Sequence, residues 1–198
     1  MITVPAGIID FSHFEVFYYP FVYAVSPRVF NSKLSSDILS WLETEAPWRL
    51  VETGFYEQYE FNFVDAEPPE HLAFLRNTVF LESLKSEVQK LLGINLGNRI
   101  DATAHKLVAG QRIRIHNDYI PGAETHRLLI QLNRGWEDKD GGLLIIFNSP
   151  DPADIHKILR PAHDSAVVFA ISSKSHHAVT RIYGAERFTL VYSFYAEK

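Results

Sequence analysis

His116 and Asp118 close the β-rich run Ile113-Arg114-Ile115-His116-Asn117-Asp118. On an extended backbone, residues two apart point to the same side, so this pair can offer an imidazole and a carboxylate to one point. Far downstream, Ser175-His176-His177-Ala178-Val179-Thr180 brings two more imidazoles ahead of another strand-like run. Two histidines and one carboxylate on a β-scaffold can hold an octahedral metal on one face and leave three positions open to small molecules. The chain has no cysteine, so thiolate sites, zinc fingers and disulfides are excluded and any metal must rest on His and carboxylate.

A fourth element is Gly184-Ala185-Glu186-Arg187-Phe188-Thr189. Arginine binds carboxylates through a two-pronged set of donors, and Thr189, two residues on, shares its face and adds a hydroxyl. This pair suits the far end of a dicarboxylate whose near end chelates the metal.

His116-x-Asp118, His177-Ala178-Val179 and Arg187-x-Thr189 resemble the iron and 2-oxoglutarate motifs of the prolyl-4-hydroxylase-like Fe(II)/2-oxoglutarate oxygenases. Leu132-Asn133-Arg134-Gly135-Trp136 and Asp140-Gly141-Gly142-Leu143-Leu144 resemble the segments that lie between the ligands in that family. The resemblance covers residues 103–195 and leaves the first hundred unexplained. It implies a double-stranded β-helix, Fe(II) held by His116, Asp118 and His177, and 2-oxoglutarate anchored by Arg187 and Thr189. It also implies O2 as oxidant, with succinate and CO2 as by-products. Relatives often place a tyrosine just before Leu-Asn; here Gln131 stands in that co-substrate position. The His-Ala-Val register selects His177 over His176, since adjacent strand residues face opposite ways.

The implied reaction is hydroxylation of an unactivated C–H bond of an amino-acid side chain, in a peptide or protein or as a free or carrier-bound amino acid. Halogenating relatives resemble this pattern with a small residue in place of the acid, so Asp118 points to hydroxylation. Desaturation or cyclisation of a small molecule or peptide depends on substrate placement and stays open. A non-catalytic jelly-roll binding module is disfavoured by the intact triad and Arg187. In residues 126–133, alternation puts Arg127, Leu129 and Gln131 on one face, so Arg127 is expected to meet a substrate oxygen inside the cavity; an ion pair at the rim is the alternative.

The elements that must position these groups can be read as well. Apolar residues recur at spacings of three and four in residues 32–46 and again in 70–92, before Gly93, which predicts two amphipathic helices. After about residue 100 the pattern changes to short β-branched and aromatic runs at 125–133, 141–148, 164–171 and 187–195, divided by turn residues. The expectation is a mainly β, α+β fold: one domain over 1–198, with a helical support region in 1–100 and a jelly-roll core in 101–198. His105, His126, His156 and His163 are read as structural, and the aromatics from Phe11 to Tyr23 as core.

With 19 basic and 24 acidic residues the formal charge is -5, and the basic residues form no run, so no nucleic-acid partner is expected. The N-terminal segment is apolar and aromatic but carries Pro5, Asp10, His13, Glu15 and Pro20 and has no basic start. It resembles neither a signal peptide nor a membrane span, and a cytoplasmic protein acting on a small-molecule or peptide/protein substrate is expected.

Overall fold

The computed structural model describes residues 8–54 and 56–197, so the part of the N-terminal reading that rests on residues 1–7 lies outside it. In chain order the strands are β1 (Glu15–Phe17), β2 (Tyr23–Ser26), β3 (Arg49–Glu52), β4 (Glu57–Asn62), β5 (Leu96–Leu107), β6 (Ile113–His116), β7 (His126–Gln131), β8 (Leu144–Phe147), β9 (Ile155–Leu159), β10 (Ala166–Ala170), β11 (His177–Val179) and β12 (Arg187–Ala196). Helices α1 (Ser32–Thr44) and α2 (Thr78–Leu92) interrupt the first half. The strands form an eight-stranded sheet in the order β1-β2-β10-β7-β12-β5-β4-β3 and a four-stranded sheet in the order β6-β11-β8-β9. This is the expected double-stranded β-helix.

Strand alternation sorts the side chains into layers. Phe188, Leu190, Tyr192 and Phe194 of β12, with Leu128 and Ile130 of β7, turn outward and join Ile38, Leu42, Phe80, Leu84 and Val88 of the helices in one core. The opposite face of the large sheet looks across to the small one. There Val167 and Phe169 meet Leu144, Ile146 and Val179 in a second core, which also takes in Phe21 and Tyr23. Those two N-terminal aromatics are therefore packed, while Tyr18 and Tyr19 are exposed.

Residue Asn31 starts α1 by accepting from the Leu34 amide. The predicted helix over 70–92 is divided. Residues Glu70–Arg76 form a 3-10 helix, and Asn77, in extended conformation, caps α2 by accepting from Val79 N. An asparagine side chain competes with the helix for its own backbone, so a continuous apolar stripe did not give a continuous helix. Gly93, at φ 66°, closes α2 in the left-handed conformation that glycine adopts without strain.

The first hundred residues are more than helical support. They supply β1 to β4 and the start of β5, which extend the large sheet at both ends. Short strands with mixed polarity, such as residues 57–62, carry little periodic signal on their own, and partners supplied by later parts of the chain make them strands.

Candidate active site

Strands β6 and β11 pair so that His177 lies directly opposite His116. The His116, Asp118 and His177 ligand atoms all fall within 4.8 Å of one another. His116 Nε2 is 3.3 Å from Asp118 Oδ1, and His177 Nε2 is 3.2 Å from Asp118 Oδ2. Each Nδ1 lies 2.8 Å from a backbone carbonyl, that of Arg114 for His116 and of Ser175 for His177. A carbonyl only accepts, so each Nδ1 carries hydrogen and each Nε2 turns its lone pair to the cluster. Burial also pushes the His177 pKa down, favouring the neutral ring. Acceptors thus converge on one point that calls for a positive centre, and the donor set of imidazole and carboxylate suits Fe(II).

His-x-Asp meets differently from the extended geometry expected. Strand β6 stops at His116, and Asp118 has a φ of 58°, a left-handed turn that folds its carboxylate back to the histidine. Aspartate tolerates this conformation better than most residues. The turn is held from both sides: Asn117 accepts from Tyr119 N, and the fully buried Ser175 hydroxyl donates to the Asn117 carbonyl at 2.8 Å. Ser175 therefore ties the loop carrying Asp118 to the loop that precedes His177. His176 is not among the residues lining the cavity that holds His177; it borders a separate pocket with Ile115, Tyr119 and Ile120, which His116 and Asp118 also reach.

Arg127 lines the same cavity as Leu129, as alternation predicts. It also makes the ion pairs that were the alternative: Nη1 donates to Asp118 Oδ2 at 2.6 Å and Nη2 donates to Glu124. Its Nε meets no acceptor among the described residues, so the guanidinium keeps donors besides those two. Burial opposes the charge on Asp118, and the Arg127 guanidinium beside it favours that charge.

Arg187 is buried, and among the described residues it has no acidic partner; its Nε meets no acceptor. Its Nη1 donates to Thr189 Oγ1 at 2.9 Å, and that hydroxyl donates to Gln131 Oε1 at 2.9 Å. Burial without a counter-ion lowers the Arg187 pKa to about 10. A buried cation with an orphaned donor is fitted for a carboxylate such as that of 2-oxoglutarate. Gln131 thus acts on the hydroxyl beside the cation. Lys106 sits elsewhere, over the rings of Trp48 and Tyr59 and beside Glu186.

The segments between the ligands have local reasons. Gly142 has a φ of 62°, and a Cβ there would come within 2.9 Å of Arg187 Cδ and 2.6 Å of Ile182 Cδ1. Only glycine lets the chain pass so close to the arginine stem. Buried Asn133 donates to the Pro161 carbonyl and accepts from Phe188 N, fixing the start of β12 next to Arg187.

His116, Asp118, His177, Arg127, Arg187 and Thr189 border one cavity of about 330 Å³. Its walls include residues that no motif marks. Tyr56, Gln58 and Glu60 come from the N-terminal half, and His105 from β5. The signal available was the alternation of 57–62, which sets Gln58 and Glu60 on the face opposite Phe61.

Comparison with known proteins agrees with this geometry. The profile described as the 2OG-Fe(II) oxygenase superfamily matches residues 102–195. The chain is 26% identical over 177 residues to the Mus musculus prolyl 3-hydroxylase OGFOD1, covering 84% of this chain and 31% of that protein. It therefore spans about a third of the length of that relative. A Pseudomonas putida prolyl-4-hydroxylase superposes with a TM-score of 0.69 at 18% identity, over 88% of this chain and 92% of that one. A Trichoplax adhaerens prolyl hydroxylase, solved with a hypoxia inducible factor peptide, gives 0.69 at 15% identity over 87% and 83%. These structures share the fold. Residues 102–195, which carry the His116, Asp118 and His177 cluster, match the model of the 2OG-Fe(II) oxygenase superfamily, and the imidazole–carboxylate cluster falls inside the matched segment.

Proposed function

We propose that His116, Asp118 and His177 hold the iron, that Arg187 and Thr189 bind the far carboxylate of 2-oxoglutarate with Gln131 orienting the hydroxyl, and that the enzyme hydroxylates an unactivated C–H bond of an amino-acid side chain. A prolyl residue in a peptide is the leading substrate, on the name of the mouse relative and the peptide complex of the Trichoplax enzyme. One observation carries the reading: a single cavity contains a cluster of acceptors that needs a cation and a buried cation that needs an anion.

When bound, the iron supplies O2 activation coupled to oxidation of the 2-oxo acid to succinate and CO2. The chain's own groups do the positioning. The Nδ1 bonds of His116 and His177 fix ring orientation, Arg127 holds Asp118, and Leu144, Val179 and Val191 keep part of the wall apolar. The test is to add Fe(II) and 2-oxoglutarate to anaerobic protein, which should produce the weak visible band of a chelated 2-oxo acid. A wild-type protein without that band overturns the reading.

A further inference from the structure

The cavity has a second polar end that the reaction described above does not use. On β4, Gln58 is buried and donates through Nε2 to Glu60 Oε2 at 2.9 Å. Gln58 Oε1 is also buried and meets no donor among the described residues. Among the described residues, Glu60 has His105 as its ion-pair neighbour, at 3.9 Å. Burial drives the His105 pKa down to about 3, so that ring is neutral and gives the carboxylate no counter-charge. A carboxylate and an orphaned carbonyl oxygen thus border the same cavity, and among the described residues no Lys or Arg pairs with either.

Register places this end opposite the co-substrate end. Glu60 pairs with His105 across β4 and β5, His105 with Thr189 across β5 and β12, and Thr189 with Gln131 across β12 and β7. Neighbouring strands lie about 4.8 Å apart, so Glu60 stands two strand spacings, about 10 Å, from Thr189. A dicarboxylate is attracted to Arg187 and repelled from Glu60. Tyr56 borders the same cavity, within electrostatic range of Glu60, Arg127 and Asp118.

From this arrangement we infer that the substrate carries a positively charged N–H donor, an ammonium or protonated amine, which docks on Glu60 and Gln58 while its reacting C–H faces the His116, Asp118 and His177 cluster. The inference rests on the proposed oxygenase reading and adds the substrate's charge to it. An ammonium donates to both groups at once, satisfying the Gln58 oxygen and neutralising Glu60. A neutral isostere leaves the buried acceptor unpaired, which is the stronger source of discrimination.

The experiment is calorimetric titration of protein loaded with Mn(II) and 2-oxoglutarate. Two pairs of probes differ in charge: acetyl-Pro-Lys-amide against its side-chain-acetylated form, and L-proline against N-acetyl-L-proline. We expect at least one charged probe to bind tenfold or more tightly than its acetylated partner in the wild type, and that ratio to fall below threefold in Glu60→Gln. Thermal melting checks that the variant is folded. The first pair reports a side-chain ammonium in a peptide, and the second a free amino terminus. Equal binding within both pairs, no binding by any probe, or a preference that survives in Glu60→Gln overturns the inference. A separate titration of 2-oxoglutarate into the Mn(II) protein distinguishes the two failures. If the co-substrate does not bind, the oxygenase reading of the site fails; if it binds and the charged probes show no preference, only the substrate inference fails.

Discussion

His116 and His177 are cross-strand partners, with ring centroids 4.2 Å apart and both Nε2 atoms turned to Asp118. Moving the register of β11 by one residue would send His177 to the opposite face and present His176 instead. We expect His177→Ala to lose tight Fe(II) binding and succinate release, whereas His176→Ala retains both. Bound iron per chain measures this, and the reverse pattern would refute the placement.

Arg187 is the buried cation of the cavity and lacks an internal counter-ion among the described residues. Removing one partner of a desolvated charge pair costs on the order of 3–5 kcal/mol, or hundreds-fold and more in affinity. Arg187→Ala should therefore raise the 2-oxoglutarate requirement by at least that factor while Mn(II) binding stays within a few-fold. Direct titration of both ligands decides it.

Gly142 should report on the same contact from the other side. A methyl group there collides with Ile182 and with the Arg187 stem, at a φ of 62° that alanine resists. We expect Gly142→Ala to weaken 2-oxoglutarate binding about tenfold or more with metal affinity largely intact, and to lower the melting temperature. Unchanged 2-oxoglutarate binding would mean that Arg187 reaches its ligand without this support.

Arg127 bridges two half-buried carboxylates, Asp118 and Glu124. Arg127→Met leaves both without that cation, so metal-free protein should lose on the order of 3–5 kcal/mol of stability in urea. Adding Glu124→Gln to that variant removes one of the two charges and should restore a large part of the loss. If the double variant is no more stable than the single one, the pairing is not what Arg127 contributes.

Asp164 gives a pH signature of the fold. It is buried, accepts from Phe30 N, and burial raises its pKa to about 6 from an ordinary 3.8. Because the folded pKa is raised, its relative stabilisation is fully present below about pH 4 and is lost as pH rises through about 6. Asp164→Asn keeps an acceptor without the charge and tolerates the φ of 65°. It should therefore be more stable than wild type at pH 8, by roughly 2–3 kcal/mol at about 1.4 kcal/mol per pKa unit, with the advantage gone at pH 4. Equal thermal stability of the two proteins at pH 8 would contradict this account.

The sequence by itself carried the chemistry. His116, His177 and Arg187-x-Thr189 sit in segments whose strand alternation assigns their faces, and alternation is a local property that needs no knowledge of partners. Strand patterning after residue 100 carried the jelly roll for the same reason. Tertiary structure decided what depends on long-range pairing. It turned Asp118 back through a left-handed residue, gave Arg127 to Asp118 and Glu124, and split the helix expected over 70–92 at Asn77. It also brought β4 alongside β5, which set Gln58 and Glu60 in the wall of the cavity. Alternation within residues 57–62 sets Gln58 and Glu60 on one face, but where that face points follows from backbone hydrogen bonds to a strand more than forty residues downstream, which no spacing within the segment can reveal.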